Sequence, residues 1–289
     1  MSKLIRAVRG IGLAIGVSAM IASPARAQSL SYVGGLQYAT GDFIFTQRTW
    51  SAYLSNGLSW SAGRLRATAN VPVVFQPAGW VQYSGAGMMV PTGGVAGYAG
   101  SSGSGMAGGM HGGTMSPSND MPFSHVGIGD PVARIDAAVL RDDADGPVVS
   151  FVGSVKAPLA DVNRGFGTGE WDVGAGFSGA GNVGGMSVFA DAVYWKLGNP
   201  PGGSLRNVVA YALSIGRPFA SGHWSVLGTL SGATSLWTGL EAPLQAGAGV
   251  GYALRSGSGL FATAAVGLTR TAPAISTGLG WRVPLGVRK

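Results

Sequence analysis

An all-β fold, a transmembrane antiparallel up-and-down β-barrel of about 12 strands, is what this sequence predicts, and three observations carry the prediction. Only 11% of the 289 residues are charged while 46% are hydrophobic, against about 25% charged in an ordinary soluble domain. Beyond residue 27 no stretch supplies the roughly 20 uninterrupted apolar residues of a spanning helix. The hydrophobic residues instead recur at alternate positions, as they do in a strand with one face to lipid and one to a polar interior. Finally, the connections between the alternating stretches sort by length, as the loops and turns of a membrane barrel do.

Residues 1–27 come first and read as a secretory signal peptide. Lys3, Arg6 and Arg9 form a basic start, Ile11 to Ala22 an apolar centre, and Ala25-Arg26-Ala27 a small-residue cleavage site. Four of the 19 basic residues (Lys3, Arg6, Arg9, Arg26) and none of the 12 acidic ones lie there, so residues 28–289 carry a net charge of +3. So small an excess gives no reason to expect a nucleic-acid partner. The absence of cysteine excludes a disulfide framework and thiol-ligated metal.

Residues 28–289 form the barrel, with twelve staves near 30–39, 48–60, 64–76, 131–141, 148–159, 171–181, 186–198, 208–219, 224–237, 244–256, 260–271 and 275–285. The second shows the pattern most fully. Trp50, Ala52, Leu54, Asn56, Leu58 and Trp60 share one face, and Ser51, Tyr53, Ser55, Gly57 and Ser59 the other. Indole rings at both ends of an apolar face mark the two edges of a lipid bilayer. Trp50, Trp60, Trp171, Tyr211 and Trp281 are the expected aromatic girdle. The third stave sets Leu65, Ala67, Ala69, Val71 and Val73 against Arg64, Arg66, Thr68 and Asn70. The eighth sets Val209, Tyr211, Leu213 and Ile215 against Ala210, Ala212, Ser214 and Gly216. With the N-terminus periplasmic, the first, third, fifth and seventh connections are about 8, 54, 11 and 9 residues, and the even-numbered ones about 3 to 6. The ninth is intermediate and the eleventh short.

The third connection, about 77–126, is a Gly- and Met-rich loop. From Pro77 to Asn119 glycine fills 13 of 43 positions with no charged residue, a composition expected of a surface loop or of a segment folded into the lumen. Six of the nine methionines fall between Met88 and Met121. Met106, Met110, His111 and Met115 could meet as soft ligands for copper, although methionine is more often adaptable apolar filler.

Charges toward lipid near the midplane cost about 2–4 kcal/mol, so charged residues on staves should face inward. Arg64, Arg66, Arg134, Asp136, Lys156, Asp172, Asp191, Arg255 and Arg282 all fall opposite the apolar face, and are the candidate lumen and selectivity residues. No catalytic residue is expected. His111 and His125 lie in the long loop and His223 in a turn, none beside an outward serine as an outer-membrane lipase would need. Gly165-Phe166-Gly167-Thr168-Gly169 has the spelling of a phosphate cradle but neither helix nor lysine after it. The chain is expected to be neither an enzyme nor dependent on a cofactor or metal.

Within 124–181 the order Gly127-Ile128-Gly129-Asp130, Lys156-Ala157-Pro158, then Gly165-Phe166-Gly167-Thr168-Gly169 with Asp172 resembles the outer-membrane transporter family associated with the meta-pathway of phenol degradation. Leu159-Ala160-Asp161 departs from the Thr-Gly-Asp usual in that family. The resemblance implies an outer-membrane barrel that passes aromatic or other hydrophobic small molecules. The expectation is therefore a passive channel in the outer membrane of a Gram-negative bacterium, with lipid and a small-molecule permeant as partners. The alternative is a non-conducting binding or structural barrel with a ligand- or copper-binding loop.

Overall fold

The computed structural model describes residues 28–43, 48–77, 81–83, 89–91, 125–141, 146–162, 164–199, 205–219 and 222–286. The expected signal peptide and most of the Met-rich loop, including Met106, Met110, His111 and Met115, lie outside them. Among the described residues fifteen strands follow in order: β1 (Ser29–Gly41), β2 (Thr49–Ala62), β3 (Leu65–Gln76), β4 (Val81–Tyr83), β5 (Met89–Pro91), β6 (His125–Ile128), β7 (Val132–Arg141), β8 (Val148–Lys156), β9 (Asp172–Val183), β10 (Met186–Lys196), β11 (Val208–Phe219), β12 (Trp224–Ala233), β13 (Leu244–Ala253), β14 (Gly259–Gly267) and β15 (Ile275–Pro284).

Each stave pairs antiparallel with its sequence neighbours, and β1 closes on β15 from Ser31↔Pro284 to Thr40↔Ile275. The result is a closed barrel of twelve wall positions. β6 and β7 share one of them: β3 pairs with β6 through Val73–Gln76 and with β7 through Leu65–Asn70. The break between them, Gly129-Asp130-Pro131, faces Pro72, and Gly129 N–H donates to the Pro72 carbonyl at 2.8 Å. Neither proline has an N–H to give the ladder, so regular pairing stops there. The fourth stave thus starts at His125 rather than near residue 131. β4 and β5 form a short hairpin inside the segment expected to be loop.

The faces follow the alternation. Trp50, Leu54, Leu58 and Trp60 of β2 point outward while Ser51 and Tyr53 are buried inside. Apolar side chains such as Phe177 (57% exposed), Leu213 (53%) and Leu279 (55%) cover the outer surface, as an outside solvated by acyl chains requires. Asn56, also outward, accepts the Tyr32 hydroxyl at 2.6 Å, which satisfies its polar oxygen on that surface. A β-bulge between Ala138 and Leu140 turns both Val139 and Leu140 outward.

At one end the connections are short: 63–64, 142–147, 184–185, 220–223 and 254–258. Gly184 and Gly185, both at positive φ (59° and 80°), make the two-residue turn between β9 and β10. At the other end lie 42–48, 77–124, 157–171, 197–207, 234–243 and 268–274. The ninth and eleventh connections are therefore longer than the sequence suggested, because β12 ends at Ala233 and β14 at Gly267. Past Ala233 the chain bends inward, with the Ser235 hydroxyl 2.6 Å from the Trp237 carbonyl oxygen and 2.7 Å from that of Leu240.

The buried core sits inside this long-connection end. Leu236 and Trp237 pack with Val152, Val193, Trp195 and Val208 on the β8–β12 side. Phe166 packs with Ala39, Phe43, Tyr53 and Val74 on the β1–β3 side. Phe43 holds a positive φ of 50°, rare for a residue with a Cβ, and its ring is locked in that second cluster.

Candidate lumenal site

The inner wall carries two charged constellations, and the upper one is a latch. Lys156, the last residue of β8, points inward with 1% of its side chain exposed. Its Nζ donates to Asp130 Oδ2 and Asp172 Oδ2, each at 3.1 Å, and to Thr168 Oγ1 at 2.5 Å. Three acceptors match the three hydrogens of an ammonium group. Asp130 Oδ1 also accepts the Ala160 N–H at 2.9 Å, and Asp172 Oδ1 the Gly198 N–H at 3.0 Å. The latch thereby ties the 129–131 break, β8 and β9 to connections 157–171 and 197–207.

The glycines of the motif have local reasons to be there. A Cβ on Gly167 would stand 2.5 Å from Asp130 Oδ2, and one on Gly127 would overlap the Phe166 ring. Gly165 and Gly169 hold φ of 76° and 74°, a region glycine enters without penalty. The Gly165 carbonyl accepts Gln76 Nε2 at 2.8 Å. Ala157 N–H donates to Pro131 O at 3.0 Å just before Pro158, fixing where the connection leaves β8. Gly129 is tight against Pro72 and Val74. The motif quoted from the sequence thus serves to fold connection 157–171 into the barrel mouth.

The second constellation crosses the interior. Arg134 of β7 donates from Nε and Nη2 to Asp136 Oδ1 (3.0 and 2.8 Å) and from Nη2 to Asp191 Oδ2 of β10 (2.6 Å). β7 and β10 are separated by β8 and β9 in the wall, so this ion pair is a chord through the lumen. Arg66 of β3 is the register partner of Asp136. It also lies within electrostatic reach of Arg282 on β15. Arg282 Nε donates to Ser31 Oγ at 3.1 Å. Arg66, Arg134, Asp136, Asp191 and Arg282 therefore form a girdle contributed by β15, β3, β7 and β10, an arc of about two thirds of the circumference.

The remaining wall is chemically different. Every inward residue of β11–β14 is uncharged. Small residues dominate there, with Ser214, Gln245, Gly247, Gly249 and Gly251, and two larger apolar groups, Leu227 and Phe261. A Cβ on Gly280 of β15 would overlap the Phe261 ring, so that ring lies flat on the neighbouring strand. Trp195 covers Gly174 in the same way. The inward glycines thus seat aromatic rings from the next strand as well as leaving space.

Two candidates expected on the wall are elsewhere: Arg64 is in the tight turn 63–64, and Arg255 is exposed in turn 254–258 because β13 ends at Ala253. Lys156 and Asp172 are in the latch. Of the aromatic residues named from sequence, Trp171 (58% exposed) and Tyr211 lie toward the long-connection end and Trp60 toward the other. Trp281 packs over Gly34 on the outer surface. Trp50 stacks on Tyr38 at 6.0 Å. Sequence reading missed a second aromatic group at the short-connection end, Phe219, Trp224 and Tyr252, with Trp224 and Tyr252 4.7 Å apart. Their outward parity at strand ends was the available signal. His223 sits in the turn before β12 with Nδ1 3.1 Å from the Ala253 carbonyl oxygen. Among the described residues no group of three or more His, Asp or Glu side chains is placed to hold a metal ion.

No protein-family model matches the chain, and no curated protein matches it. Among solved structures it is similar to an outer membrane channel from Pseudomonas putida F1, with a TM-score of 0.61 at 12% identity over 93% of this chain and 98% of that one. Looser likenesses are the CymD monoaromatic hydrocarbon channel (TM-score 0.47, 11% identity, 99% and 98% covered) and the translocator domain of autotransporter NalP from Neisseria meningitidis (0.46, 14%, 93% and 90%). At that identity the first likeness establishes a shared fold, the outer-membrane β-barrel.

Proposed function

We propose that this barrel is a passive outer-membrane channel for small hydrophobic or aromatic molecules, reaching its membrane after cleavage of residues 1–27. The carrying observation is the ion pair from Arg134 of β7, which also holds Asp136, to Asp191 of β10 across two intervening strands, inside a barrel whose outer face is apolar. A wall meant only to be filled would be stabilised as well by apolar side chains, since buried ion pairs seldom improve on them. Charges held across a lumen instead sort permeants by charge and polarity. Arg66, Arg134, Asp136, Asp191 and Arg282 set that selectivity. Lys156 and Asp172 act one step removed, by holding connection 157–171 in the mouth. The motif resemblance and the fold shared with a channel both support this reading, and the motif points to aromatic permeants.

The packed clusters around Phe166 and Trp237 favour a second reading, a barrel closed at rest that binds rather than conducts. Planar-bilayer recording separates the two. The wild type should give small conductance steps, and Phe166→Ala with Trp237→Ala should enlarge them several-fold by thinning the plug. Silence from both proteins, once folding is verified, would leave the binding reading in place of the channel.

A further inference from the structure

We infer that the lumen recognises an amphipathic organic anion, an arylcarboxylate or a close analogue, with its carboxylate at the Arg282–Arg66 edge of the girdle and its ring against Phe261. This deepens the channel reading and rests on it for its biological meaning.

The distribution of charge supplies the first half. The girdle holds three guanidinium groups and two carboxylates, and both carboxylates accept from Arg134. Asp136, bonded to Arg134, is also within electrostatic reach of its register partner Arg66, and the basic excess collects on the β15 side. Arg282 forms no ion pair among the described residues, and its side-chain hydrogen bond is the one from Nε to the Ser31 hydroxyl. The charged neighbour it shares with the girdle is another guanidinium, Arg66. The carboxylates of the latch are committed to Lys156 on β8, half the barrel away. A guanidinium on the inner wall, with Nε held by a hydroxyl and no ion pair among the described residues, is a site for an oxyanion, and carboxylate matches its fork geometry.

The wall beside Arg282 supplies the second half. Gly259↔Arg282 and Phe261↔Gly280 are register partners, so Phe261 and Arg282 are diagonal neighbours on the inner surface. Phe261 lies flat over Gly280 and keeps 9% of its surface exposed, and β13 beyond offers Gly247, Gly249 and Gly251. An apolar surface next to a single oriented cation is the usual composition of a small-molecule subsite. A neutral aromatic would use only the ring face, and an inorganic anion only the arginines. A ligand with both groups uses the whole corner.

The test uses the full barrel folded in detergent micelles, with 4-fluorobenzoate and 4-fluorobenzyl alcohol as paired probes read by fluorine NMR line broadening against empty micelles. Wild type should bind the benzoate at least tenfold more tightly than the alcohol. Arg282→Gln should remove most of that preference, Arg282→Lys should retain part of it, and Phe261→Ala should weaken both probes. Arg217→Gln, which alters an outward-facing arginine on β11, should change nothing. Equal binding of acid and alcohol by the wild type, or an unchanged preference in an Arg282→Gln and Arg66→Gln double variant, would overturn the inference. Should Arg282→Gln fail to fold, the acid-to-alcohol ratio of the wild type and of Phe261→Ala still decides. Because binding is read without conduction, a silent bilayer with charge-selective binding would defeat only the channel reading. Conduction with charge-blind binding would defeat only this one.

Discussion

Lys156 shows how much a single residue can do in this wall. It neutralises Asp130 and Asp172 in a place where neither carboxylate reaches water. Removing the lysine alone leaves two buried like charges, a situation that costs about 3–5 kcal/mol. Lys156→Met should therefore lower the unfolding midpoint in detergent markedly. The triple variant with Asp130→Asn and Asp172→Asn should recover much of the loss, because it removes the charges together. Equal stability of the single variant and the wild type, in urea titration followed by tryptophan fluorescence, would show that the latch does not hold the fold. Much of this residue-scale detail was legible only as a motif. Asp130, Lys156, Thr168 and Asp172 were visible as a spaced set, but read singly Lys156 and Asp172 looked like lumen charges. Their shared role needs Asp130, 26 residues upstream of Lys156, to be brought alongside by the pairing of β7 with β8.

At the scale of elements, alternation predicts both face and depth. Leu213, in the middle of β11, faces outward. An arginine there should cost about 2–4 kcal/mol, whereas Val209→Arg, near the strand end, should cost about 0–1 kcal/mol. The native Arg217, outward near the other end of β11, already shows charge tolerated close to an interface. Refolding titrations into bilayers of the two variants measure the difference, and equal costs would mean that this face does not meet acyl chains. The staves themselves were largely readable. The errors fell where the chain leaves the wall. The stretch 224–237 alternates well enough to read as one strand, yet pairing stops at Ala233. Leu236 and Trp237 then turn in to fill the interior, held by the Ser235 turn contacts. An apolar residue satisfies lipid and core alike, so hydrophobicity could not say which it meets.

For the whole molecule, the outer surface decides the solvent. A closed ring with Phe177, Leu213 and Leu279 outward buries its apolar face only in lipid or detergent. The purified protein should show β-type circular dichroism and heat-dependent mobility in detergent, and should aggregate when detergent is withdrawn. A folded monomer in plain buffer would contradict the membrane assignment. The interior is asymmetric on the same scale. Charged residues are distributed over two thirds of the circumference, from β15 through β3 to β10, and the uncharged third runs from β11 to β14.

The sequence by itself determined the all-β class, the number of wall positions and, within the regular staves, which side chains face in or out. Those properties follow from period-two alternation and from spacing along the chain, both local. Tertiary structure alone decided which inward groups meet: Arg134 with Asp191 across two intervening strands, Lys156 with Asp130, and Phe166 beneath Gly127. Those meetings depend on register and on ring closure, which relate residues far apart in sequence, and alternation carries no information about either.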